Sequence, residues 1–235
     1  YLKGYAHASE RAVIERPDIG EARSAGLAIK AALSAANVSL DDVALFDFYS
    51  CFPVAVANAI EAVGLAANDS RGLTLTGGLP YFGGPGNNYS MHAIVEVVDR
   101  LRKGQGQYGM VAANGGFLSK YAVGVYSTLA ENFNHCDSAA VQAEVDALSS
   151  PVFNRSPEGK GRIETYTLSY DREGKAKSAV IVGRLNKTNE RFIAMTPKGN
   201  REIAEVLTTC EPLGLSVSVV TDAHVNYFQL VEESE

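Results

Sequence analysis

Three short stretches carry residue types that can do chemistry. The first is Tyr49-Ser50-Cys51-Phe52-Pro53. Proline suits the first turn of a helix, so Cys51 stands just before a predicted helix start. Helix N-terminal N–H groups favour an anion and lower a thiol's pKa. A thiol so tuned can shuttle a proton. A buried, inert cysteine is the plain alternative. The second stretch runs from Thr76 through Gly77-Gly78-Leu79-Pro80-Tyr81-Phe82-Gly83-Gly84-Pro85-Gly86-Asn87-Asn88 to His92; between Gly77 and Gly86, five of ten residues are glycine and two are proline. Glycine admits positive φ and close approach, and proline fixes φ, so the loop is shaped rather than merely flexible. A strand, a glycine loop and a helix start can hold an anion or oxyanion on free N–H groups. A tight structural crossover has the same composition. The third stretch is Asn114-Gly115-Gly116, whose Asn-Gly pair also signals a β-turn.

The glycine loop is neither a P-loop nor a dinucleotide fingerprint. No Gly-Lys-Ser/Thr ends it, its glycine spacing differs, and no acidic ribose partner follows.

The elements that must position these stretches follow from hydrophobic period. Residues 1–9 read as a strand. Residues 21–36 read as a helix with Ala22, Ala25, Gly26, Ile29, Ala32, Leu33 and Ala36 on one face, small enough to pack closely on a sheet. Ser39-Leu40-Asp41-Asp42 has the form of a capping box. Residues 44–49 form a short apolar strand, and residues 53–63 a helix apolar enough to be central and buried. Residues 73–76 are the expected strand before the glycine loop. Residues 88–103 form a helix with Met91, Ile94, Val95, Val98 and Leu101 on one face. Two strands, 108–113 and 122–127, flank the Asn114 turn. The order β-α-β-α-β-α-β-β predicts a layered α/β domain over residues 1–131.

The character changes near Glu131. Residues 132–160 read as a polar, partly helical connector. Residues 161–235 then form a small β-rich domain. Strands are expected at 162–170, 177–185, 191–195, 215–220 and 225–230, with a short helix capped by Asn200 after the third. That order suits an OB-like barrel, and also a small open sheet. Glu232-Glu233-Ser234-Glu235 reads as a solvated acidic tail.

Composition bounds the function. Of 235 residues, 46% are hydrophobic and 20% charged, as in ordinary globular proteins. No apolar run is long enough to span a bilayer, and no signal-peptide pattern opens the chain. The start at Tyr1 without methionine points to a fragment or a processed chain. Cys51, Cys136 and Cys210 are too few and too scattered for a disulfide scaffold or a Cys-x-x-Cys metal site. Reduced thiols and a cytoplasmic location are the expectation. A net charge of −6 argues against general nucleic-acid binding. Locally, residues 155–201 carry eleven Lys/Arg against five Asp/Glu. Such a face can meet nucleic acid, an acidic carrier protein or CoA phosphates, with Tyr166, Tyr170 and Phe192 as candidate stacking aromatics; a solvated face is the alternative.

Taken together, the Tyr49–Pro53 stretch, Leu75-Thr76-Gly77-Gly78-Leu79-Pro80 running into Gly83-Gly84-Pro85-Gly86-Asn87-Asn88-Tyr89, and Ala112-Ala113-Asn114-Gly115-Gly116 resemble the C-terminal half of a thiolase. The type is that of sterol-carrier-protein-x and the thiolase-like proteins type 1, often labelled acetyl-CoA acetyltransferase. The resemblance covers roughly residues 1–130. The extra C-terminal β-domain of the type 1 proteins accounts for the rest.

The resemblance implies roles. Tyr49-Ser50-Cys51-Phe52 stands where that family has His-Asp-Cys-Phe, so Cys51 inherits an acid/base role at a substrate α-carbon. Tyr49 replaces the histidine that holds an oxyanion-hole water, and its one O–H leaves the task possible but altered. Gly84 falls on the histidine of the family's Gly-His-Pro, which activates the nucleophile. His92 is the candidate substitute, with a helix-surface histidine as the alternative. Asn114 and the Gly115 N–H are oxyanion-donor candidates. Gly83, Gly84, Pro85, Gly86, Asn87, Gly115 and Gly116 would line the acyl-CoA pocket. The implied activity is thiolysis, Claisen condensation or acyl transfer on acyl-CoA, with coenzyme A as substrate or product, no resident cofactor and no metal. The family's nucleophilic cysteine belongs to an N-terminal half, which the same chain or a partner chain would supply. The alternatives are an acyl-CoA-binding scaffold subunit, or a binding module working through the basic β-domain.

Overall fold

The computed structural model describes residues 1–130 and 133–231. The expected boundary at 131/132 and the acidic tail at 232–235 lie outside the described residues. The chain divides into two compact units, Tyr1–Ala12 with Asp18–Leu148, and Val13–Pro17 with Ser149–Glu235.

In the first unit, β1 (Leu2–Ser9) buries Ala6 and Ala8, and α1 (Arg23–Ala36) lays Ala25, Ala28, Ile29, Ala32 and Ala36 on the sheet. These small residues let the backbones come close. A Cβ built on Gly4 would meet the Ala36 nitrogen at 2.6 Å. The Ser39–Asp42 capping box forms and leads into β2 (Val43–Phe48). There follow α2 (Pro53–Glu61), the one-turn α3 (Leu79–Phe82), α4 (Tyr89–Arg102), β3 (Tyr108–Gly115), β4 (Lys120–Ser127) and α5 (Ser138–Asp146). The sheet order is β1-β4-β3-β2; β2 and β3 are parallel and the other pairs antiparallel. One face packs on α1 and α5, and α4 covers Leu45 and Val111 on the other. Side chains on α5 blunt the open edge of β1: Gln142 accepts from Ser9 N at 2.8 Å and donates to Ser9 O at 3.0 Å.

Several expectations are corrected. Residues 73–76 form no strand. Thr74 makes an isolated antiparallel bridge with Asp47, and the backbone turns away at Gly77. The buried stripe of α4 is Tyr89, Ala93, Val97 and Leu101, because Val97 seats on Gly109, where a Cβ would meet it at 2.5 Å. Met91 and Val95, expected inside, are exposed. Helix α2 buries only Ala55, Ala59 and Ile60. Asn114 and Gly115 continue β3, and the turn falls on residues 116–119.

The second unit holds β5 (Gly159–Tyr170), β6 (Ala176–Leu185), β7 (Arg191–Met195), α6 (Glu202–Val206), β8 (Ser216–Asp222) and β9 (Val225–Leu230). They close a barrel in the order β5-β6-β7-β9-β8, with β8 returning to β5. Closure leaves no free sheet edge, which settles the barrel over the open sheet. Phe192 plugs its core against Gly161 and Gly183, where a Cβ would meet the ring at 2.9 and 2.5 Å. Phe192 is thus no surface stacking aromatic, whereas Tyr166 and Tyr170 are exposed. The residue before α6 is Arg201, not Asn200. Buried Arg191 holds Glu164 on one side and donates to Ile14 O and Arg16 O, at 2.9 and 2.6 Å, on the other.

Candidate functional site

The loop after β2 and the end of β3 converge because the strands are adjacent and parallel; Tyr49 N donates to Ala112 O at 2.9 Å. Parallel neighbours bring their C-terminal ends together, where α/β sheets place ligand crevices. Cys51 there donates its S–H to Asn114 Oδ1 at 3.5 Å, while Asn114 Nδ2 donates to Tyr49 O at 3.4 Å. Both ends of the Asn114 amide are therefore engaged. The Asn114 amide thus orients the thiol, and its NH2 group carries a second N–H beyond the one given to Tyr49 O. The half-buried Cys51 sits one residue before the Phe52 cap of α2.

An open cleft of about 700 Å³ surrounds this pair. It brings together Tyr49, Cys51, Asn114, Gly115 and Gly116 with Gly86 and Asn87 of the glycine loop. Gly83, Gly84, Pro85 and His92 do not line it. The His92 ring packs edge-on against Phe82 at 5.3 Å, and its buried Nδ1 has no hydrogen-bond partner among the described residues. The cleft also takes in His7 and Ser9 from β1, Ser90 from α4, and Phe117 and Lys120 from the β3–β4 hairpin. Sequence spacing gave no sign of His7 and Ser9, because antiparallel pairing of β1 with β4 brings them in from more than a hundred residues away. Phe117 and Leu118 both take left-handed φ, +57° and +61°, which is uncommon for residues other than glycine. Phe117 stays 92% exposed at the mouth.

Beneath the cleft lies a buried polar chain. Thr76 N and Oγ1 donate to Asp47 Oδ2 at 2.9 and 2.8 Å. The Thr76 proton is thereby used, so the Tyr89 hydroxyl, 2.6 Å away, donates to Thr76 Oγ1. Tyr89 meets Tyr49 edge-on at 5.1 Å. Burial pushes the Asp47 carboxyl above its ordinary range, although hydrogen bonds from Thr76 oppose the rise. Burial, with the neighbouring Cys51 and Tyr89 groups, also raises the Tyr49 phenol, which keeps it a proton donor near neutral pH. The sequence signal for this chain is one acid, Asp47, inside the apolar run Ala44–Tyr49.

Among the described residues, no helix is long and apolar enough to cross a membrane, and no cluster of three His, Cys, Asp or Glu is placed to hold a metal ion.

Residues 140–224 match the family model for the thiolase-like protein type 1 additional C-terminal domain. The crystal structure of a monomeric SCP2-thiolase like protein type 1 from Mycobacterium smegmatis is similar to this chain with a TM-score of 0.91 at 44% identity, covering 98% of this chain and 50% of that one. Comparison with curated proteins finds no match. The fold and the matched module define a thiolase-like protein with an additional C-terminal domain. That domain is of the type 1 kind, and the chain spans half the length of the solved relative.

Proposed function

We propose that the cleft binds an acyl thioester of coenzyme A and that Cys51 exchanges a proton with the acyl α-carbon, as part of a thiolase-like acyltransferase. The observation carrying this reading is the Cys51 thiol held on Asn114 inside a cleft lined by both glycine-rich loops. In the step, the Cys51 S–H bond breaks and its proton goes to the α-carbon of a bound thioester enolate, whose electron pair forms the new C–H bond; in reverse, the Cys51 thiolate so formed takes the proton back and the pair returns to the enolate oxygen. The Gly115 and Gly116 N–H groups and the Tyr49 phenol are the donors at hand for that oxygen. The acyl-accepting nucleophile lies in an N-terminal half, in the same chain or a partner chain. The half-length match to the solved relative supports this division.

A second reading is thioester binding without turnover. It is favoured by Gly84 standing in for the family's histidine and by His92 packing on Phe82 away from the cleft.

Octanoyl-CoA is expected to protect Cys51 from iodoacetamide while Cys136 and Cys210 stay reactive. Unprotected Cys51 at saturating thioester contradicts both readings. Protection without α-proton exchange leaves the second.

A further inference from the structure

We propose that Asp47 is the positioning residue of the cleft, holding both ends of the glycine loop through Thr76 and Tyr89 against the strand that leads to Tyr49 and Cys51. The cleft's ligand comes from the reading above, but the anchoring stands on geometry alone.

The loop cannot hold itself. Residues 81–88 are all exposed, and Gly77, Gly78, Gly83 and Gly86 all take positive φ. Such a segment has few contacts to fix it, so its ends decide where its middle lies. Thr76 is the last residue before the glycines and Tyr89 the first of α4. Asp47 Oδ2 takes both Thr76 donors, and the Thr76 hydroxyl takes the Tyr89 proton. One carboxylate oxygen thus closes a twelve-residue loop at both ends. Ser50 adds a third tie by accepting from Leu79 N at 2.9 Å. Gly86 and Asn87, which line the cleft, ride between these ties.

A filler role would not call for a carboxylate here. Asp47 is 1% exposed, and its Oδ1 has no hydrogen-bond partner among the described residues. Burying such a group is costly, and an apolar residue would pack the strand more cheaply. What an apolar residue cannot do is take two donors from Thr76.

The test uses the full-length protein with three variants. Asp47→Leu removes the acceptor, Asp47→Asn keeps one, and Tyr89→Phe cuts only the far end. Hydrogen exchange of the amides of residues 76–88, with no thioester present, reads the anchoring directly. Asp47→Leu is expected to speed exchange across the loop by about tenfold or more, with Asp47→Asn within a few-fold of wild type. Tyr89→Phe is expected to loosen residues 86–88 while residues 76–78 stay protected, which keeps the test open if Asp47→Leu does not fold. A lower melting temperature with unchanged loop exchange in Asp47→Leu, or in Tyr89→Phe if Asp47→Leu does not fold, would overturn the proposal and leave Asp47 a general stability residue. Octanoyl-CoA affinity is then measured on the same variants. Failure of wild type to bind it counts against the thioester reading and not against the anchoring, which exchange has already decided.

Discussion

The Cys51 thiol and the Asn114 side-chain carbonyl meet at 3.5 Å across the ends of two parallel strands. Asn114 is itself locked by its bond to Tyr49 O. The thiol therefore has one defined orientation, set by residues 63 and 65 positions apart.

Removing that acceptor should release the thiol. Asn114→Ala is expected to destabilise the first unit by about 1 kcal/mol, the usual net worth of such a bond. It is also expected to slow thioester α-proton exchange by about tenfold, a loss in excess of any change in thioester affinity. Thermal unfolding and NMR exchange kinetics check the two parts separately.

Asp47 should make stability depend on pH in an unusual direction. A carboxyl whose folded pKa is raised holds its proton more tightly folded than unfolded. Its contribution is fully present below the unfolded value of about 3.9 and is lost as pH rises through the folded value. Asp47→Asn is uncharged throughout, so its melting temperature relative to wild type should increase from pH 4 to pH 8. Melting curves across that range check it; a constant difference counts against a raised Asp47.

The glycines of the loop should differ in tolerance. Gly83 sits at φ +106° and ψ +144°, a region nearly reserved for glycine, so Gly83→Ala should cost about 1–3 kcal/mol. Gly84 has ordinary φ, and its added Cβ meets only the Leu79 side chain, at 3.0 Å. Gly84→Ala should cost less than about 1 kcal/mol, since a flexible side-chain end can shift. Denaturant titrations of the two variants give the comparison.

In the barrel unit, Glu164 is held below its ordinary range. Burial would raise it, but hydrogen bonds from Arg191 and Arg184 outweigh that. The stabilisation is present above about pH 4.3, the free glutamate value, and is lost as pH falls through the folded value. Arg191→Met leaves Glu164 short of its buried partner and frees the carbonyls of Ile14 and Arg16. Breaking such a pair costs about 3–5 kcal/mol, measurable by chemical denaturation of the barrel unit.

The sequence made much of this legible where a local signal suffices. The small-residue face of α1, the Ser39 capping box and the five barrel strands follow from period, caps and turns. The resemblance located Cys51, Tyr49 and Asn114, which the structure brings together. What escaped depends on distant partners. Val97 faces inward because Gly109 leaves room for it, whereas the apolar residues of 89–102 fit more than one helical stripe and their period does not choose between them. His7 and Ser9 reach the cleft only through the β1–β4 pairing. The Thr76–Tyr89 link to Asp47 joins three segments that no motif connects.

The most direct measurement is NMR-detected deuterium exchange at the α-carbon of octanoyl-CoA, in heavy water, with full-length wild type and Cys51→Ala. Enzyme-dependent exchange is expected in wild type, with a loss of about 10²-fold or more in Cys51→Ala and thioester affinity nearly unchanged. Equal exchange in the two proteins, or none in wild type despite binding, would contradict Cys51 as the proton carrier.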